Sequence, residues 1–91
     1  MESISVSRLR GAGVRWVVDP GHGWLRVPAV SAEGLTFSRY SYRNPSGSWL
    51  YLEEDCDAGV WLRAHGFTGD MFPVRVVEKG DAACRSYPRI G

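Results

Sequence analysis

At 91 residues the chain suffices for one small domain, residues 1–91, and its four Trp, four Tyr and three Phe supply large apolar area for a thin core. A formal net charge of +1 excludes indiscriminate, charge-driven binding to nucleic acid or membranes. No run approaches the ~20 apolar residues of a membrane span, the start lacks a signal-peptide pattern, and two cysteines make no disulfide framework, so the expectation is a cytoplasmic chain with free thiols.

The first 13 residues read as an arm or a weak edge strand, because Ile4 and Val6 alternate with Ser3, Ser5 and Ser7. Gly11 and Gly13 then loosen the pattern. Val14 to Asp19 is predicted as a strand with Val14, Trp16 and Val18 on one face. Asp19-Pro20-Gly21 is a turn signal: Pro presets φ, Gly admits positive φ, and Asp can accept from the backbone just downstream. Gly23 to Val27 completes a first hairpin, ended by Pro28. Ala29 to Gly34 reads as a short helical turn or loop.

Thr36 to Arg43 is predicted as a third strand with Tyr40 and Tyr42 on one face. Asn44-Pro45-Ser46-Gly47 fits a type I turn, and Trp49 to Glu53 returns antiparallel, with Trp49 and Tyr51 opposite Leu50 and Leu52. An acidic cluster, Glu53, Glu54, Asp55 and Asp57, then suits a helix start, with Asp55 as N-cap and Glu54 as the fallback. Ala58, Trp61, Leu62 and His65 form the apolar stripe of a helix that Gly66 stops. Phe72 to Glu78 is a last strand, held to an edge or a strand start by Pro73. Residues 80–91 show no period and form a tail that can pack through Cys84, Tyr87 and Ile90. The order ββ, ββ, α, β gives an α+β fold: an antiparallel sheet of four to six strands with one helix across one face.

Four constellations can carry function. His22 lies between two glycines in the first turn, with Trp24 beside it, where a ligand can approach; Asp19 is near enough to orient the imidazole. The carboxylates of Glu53, Glu54, Asp55 and Asp57 lack the spacing of a calcium loop; they read first as a complement to the helix dipole with capping, and otherwise as a protein-recognition patch suited to a basic groove. Cys56, Cys84, His22 and His65 nominally complete a zinc set, but no CxxC or HxxxH pair is present, and neither metal nor cofactor is predicted. Arg15, Arg26, Arg39 and Arg43, interleaved with Tyr40 and Tyr42, make a basic sheet face if all point away from the helix. Every basic residue but Lys79 is Arg, a bias that GC-rich coding gives as readily as bidentate recognition does. No nucleophile elbow, P-loop or zincin motif is present, which places an enzyme last.

The strings PGHGWLRVP (Pro20 to Pro28) and SRYSYRNPSGSWLYLEEDCDA (Ser38 to Ala58) together resemble a group of small proteins encoded by phages, prophages and plasmids of proteobacteria. That resemblance implies mobile-element origin and transfers no catalytic residue. By analogy with anti-CRISPR and other anti-defence proteins, it implies a non-enzymatic inhibitor that binds a host protein or nucleoprotein complex and occludes its surface. Glu53, Glu54, Asp55 and Asp57 are the first expected contacts, and His22 and Trp24 the second. The alternative is a small nucleic-acid-binding module using the four arginines. A second alternative is a metal-dependent enzyme around His22. An exposed edge strand also offers a route to a homodimer.

Overall fold

The computed structural model describes residues 5–90. Two helices and five strands follow one another: α1 (Val6–Gly11), β1 (Arg15–Val18), β2 (Gly23–Pro28), β3 (Tyr42–Arg43), β4 (Trp49–Glu53), α2 (Asp57–His65) and β5 (Arg75–Val77). Short 3₁₀ turns occupy Ala29–Ala32, Gly69–Met71 and Ala83–Ser86. The strands form one sheet in the order β3-β4-β2-β1-β5. The fold is thus α+β, as the residue pattern predicts. One pairing departs from an all-antiparallel sheet: β5 runs parallel to β1. The reason is topological. β2 is antiparallel to both β1 and β4, so β4 points the same way as β1. A strand that leaves β4, returns through a helix and re-enters the sheet must then run parallel. Its edge position agrees with Pro73.

Both faces of the sheet are covered. On one, Leu25, Val27, Leu50 and Leu52 meet Ala58 and Trp61 of α2, Leu9 of α1 and Phe72. Trp61 is fully buried and its ring lies 5.7 Å from Phe72 and 5.8 Å from Phe67, so three aromatics fill the space between helix and sheet. On the other face, Val17, Trp24 and Tyr42 pack against Ala82 and Cys84, with Tyr51, Val76 and Tyr87 alongside. The C-terminal segment is therefore a second cover. It is laced to β3 by Arg43 N–H donating to Pro88 O (2.8 Å) and Ile90 N–H donating to Ser41 O (3.0 Å).

Four local expectations are corrected. Where serine alternation predicts a strand, Val6–Gly11 is helical: Ser5 caps it by accepting from Arg8 N–H (3.2 Å), and Leu9 turns into the core. The rest of that predicted strand, Ser3 and Ile4, lies outside the described residues. The third strand shrinks from Thr36–Arg43 to Tyr42–Arg43, because Ser38 and Ser41 bend inward to Asp57. The cap of α2 is Cys56, without a side-chain bond, rather than Asp55 or Glu54. The last strand keeps only Arg75–Val77, since Phe72 leaves the sheet for the core while Val74 stays exposed. The predicted helix stop holds: Gly66 adopts φ 72°, which lets Phe67 N–H reach Leu62 O at 2.8 Å.

Candidate functional site

The β1–β2 turn is built on Asp19. Its Oδ1 accepts from Gly21 N–H and His22 N–H, each at 2.9 Å. Its Oδ2 accepts from Ala82 N–H at 2.9 Å, and Arg85 closes a bidentate pair at 2.6 and 2.9 Å. Five donors on one carboxylate, led by the Arg85 guanidinium, hold its pKa far below the usual carboxylate range. Asp19 therefore does not orient the His22 imidazole as a catalytic partner. It presents His22 by fixing the backbone and ties the turn to the C-terminal segment.

A second carboxylate organises the entry to α2. Asp57 is 2% exposed and accepts from Ser38 N–H, from Ser38 Oγ–H (2.7 Å) and from Ser41 Oγ–H. Ser41 in turn accepts from Glu53 N–H at 2.9 Å. This buried chain joins the loop before β3 to the joint between β4 and α2.

Between these two anchors lies an open cleft of about 510 Å³. Trp24 and Tyr42 line it together with Tyr40, His22 from the first turn, Glu53, Asp55 and Cys56 from the β4–α2 joint, and Arg85 and Arg89 from the C-terminal segment. Arg85 lies 5.2 Å over the Trp24 ring and Arg89 5.4 Å over that of Tyr42. Arg85–Asp19 is the one ion pair among the described residues, so Glu53, Glu54 and Asp55 carry no cationic partner there. The Cys56 thiol is exposed, and the adjacent Asp57 carboxylate, followed by some desolvation, raises its pKa. A thiolate nucleophile is disfavoured at that position. Burial pushes the Cys84 thiol up to about 12.

The predicted site residues are thus partly assembled. His22, Trp24, Glu53 and Asp55 converge on the cleft. Glu54 is exposed just outside it, beside Gly23, whose missing side chain leaves room for the carboxylate. Asp57 is a correction: it is withdrawn from the surface and spent on two serines. Trp24 is another, being 1% exposed rather than displayed in the turn. Among the described residues no three His, Cys, Asp or Glu side chains are placed to share a metal ion. The arginine set is split. Arg15 and Arg26 face each other across β1 and β2, but Arg43 pairs with Leu50 and points to the opposite side of the sheet, and Arg39 sits in the loop before β3. Arg85, Arg89, Ser38 and Ser41 were not legible as site residues. Arg85 acts 66 positions from Asp19, and no local pattern announces such a pairing.

Compared with family models, with curated proteins and with solved structures, the chain matches none.

Proposed function

We infer that the chain is a non-enzymatic protein-binding module whose cleft at the β4–α2 joint receives a segment of a partner protein carrying basic side chains. The observation that carries this reading is the placement of Glu53 and Asp55 in a cleft lined by aromatic rings, with Glu54 exposed just outside it, all three unpaired by any cation among the described residues. A partner Arg or Lys gains a charge-assisted hydrogen bond there and an aromatic surface for its stem. Arg89 supplies the complementary sign, which suits a peptide segment bearing both charges. Mobile-element origin, implied by the Pro20–Pro28 and Ser38–Ala58 strings, supplies the setting: an anti-CRISPR-like inhibitor that occludes a basic surface on a host nucleoprotein complex.

The test is parallel capture from host lysate by the wild-type chain and by an E53K/D55K variant, read by quantitative mass spectrometry. A protein retained by the wild type and lost from the variant, with circular dichroism unchanged, supports the reading. Identical captured sets overturn it.

A further inference from the structure

At the far end of the same sheet face lies a second site of different chemistry. Arg15 and Arg26 are directly opposite in the β1–β2 pairing. Like charges placed so destabilise a sheet, and Arg85–Asp19 is the one ion pair among the described residues, so no carboxylate offsets this repulsion there. The two side chains also converge. Both Nη2 atoms come close to the point a Gly13 Cβ would occupy, at 3.1 Å for Arg26 and 3.5 Å for Arg15. Gly13 has φ 100° and no side chain, which is what allows the approach. Arg26 is clamped over the Trp49 ring at 4.0 Å, and Arg15 Nε donates to Gly13 O at 3.3 Å, so both forks are held in place. The Nε of Arg26 is buried and has no acceptor among the described residues. A buried guanidinium N–H without a partner is rare in a folded chain, because its desolvation is then uncompensated.

We propose that Arg15 and Arg26, steadied by Trp49 and by the backbone of Gly13, form a binding site for a phosphate group. Two convergent guanidiniums present planar forks of donors, and a tetrahedral dianion matches both their number and their summed charge. A single carboxylate would leave one positive charge uncompensated. The phosphate can be free or terminal on a nucleotide; a strand-backbone diester carries a single charge and matches the pair no better than a carboxylate does. The site differs in place and in sign from the acidic cleft, and does not depend on it.

The experiment is a titration of the ¹⁵N-labelled chain with inorganic phosphate, monitored through the amides of Gly13, Arg15 and Arg26. Sodium chloride at equal ionic strength is the control for screening. A nucleoside triphosphate forms a separate arm that identifies the source, and a single-stranded oligonucleotide a further arm for the diester. Saturable shifts at these amides are expected with phosphate and not with chloride. R15Q should weaken binding by about tenfold or more, the worth of one charge-assisted contact. R15K, which keeps the charge and loses the fork, should fall between R15Q and wild type. R26K serves as a second variant should R15Q prove unfolded. Shifts no larger than those of chloride, binding by the oligonucleotide without any response to inorganic phosphate, or undiminished phosphate affinity in the folded variant each overturn the proposal.

Discussion

Asp19 concentrates more structure in one side chain than any other residue of the turn. It closes the hairpin bend, displays His22 and holds Arg85 over Trp24, all through one carboxylate. Because its folded pKa lies far below the unfolded value of about 3.9, its contribution to stability is complete well above that value and declines as the pH falls through and below it. The wild type should therefore lose melting temperature below about pH 4 more steeply than D19N, and the two curves should converge on acidification. Parallel acid curves in thermal melts would refute this. The Asx half of the role was legible, since Asp-Pro-Gly is a turn with a known mechanism. The Arg85 half was not, because a salt bridge between residues 66 positions apart leaves no periodic trace.

At the scale of elements, the start of α2 shows how charge can be read correctly in kind and wrongly in place. Acidic residues do gather at the helix N-terminus, where free N–H groups favour them. Yet the carboxylate that enters the protein is Asp57, not Asp55, and it serves the loop before β3 rather than the helix cap. That demand explains why the third strand is short. Ser38 and Ser41 cannot stay in an extended strand and also reach Asp57. Removing the Ser41 hydroxyl leaves Glu53 N–H without an acceptor and Asp57 short of a donor. S41A is expected to lower stability by about 1–3 kcal/mol in urea unfolding, whereas S46A, at an exposed turn serine, should change it by less than about 0.5 kcal/mol. Equal midpoints for the two variants would remove the network's structural role. The N-terminal helix was hidden for a similar reason: six residues are too few to show a 3.6 period, and Leu9 finds its place only against the assembled core.

For the molecule as a whole, the C-terminal segment decides what the sheet's second face is. Without a period it reads as a tail, yet Ala82 and Cys84 pack over Val17 and Trp24, with Tyr87 ring to ring with Tyr51 at 5.5 Å. Deleting residues 80–91 should expose Trp24 and Tyr42, broaden the thermal transition and induce binding of a hydrophobic dye; a sharp, dye-silent transition would contradict this. The same segment carries Arg85 and Arg89 into the cleft, so the deletion removes one side of the proposed binding site as well. No helix among the described residues is long and apolar enough to cross a membrane. By itself the sequence determined the two hairpins, the helix with its Trp61 stripe and its Gly66 stop, and the α+β class, because each rests on periodicity or turn chemistry within a few neighbouring residues. Only the tertiary structure decided the parallel run of β5, the burial of Trp24 and Asp57, and the meeting of Arg15 with Arg26 over Gly13. Those depend on which distant segments share a surface, and the free energy of such contacts is set by packing that no local pattern encodes.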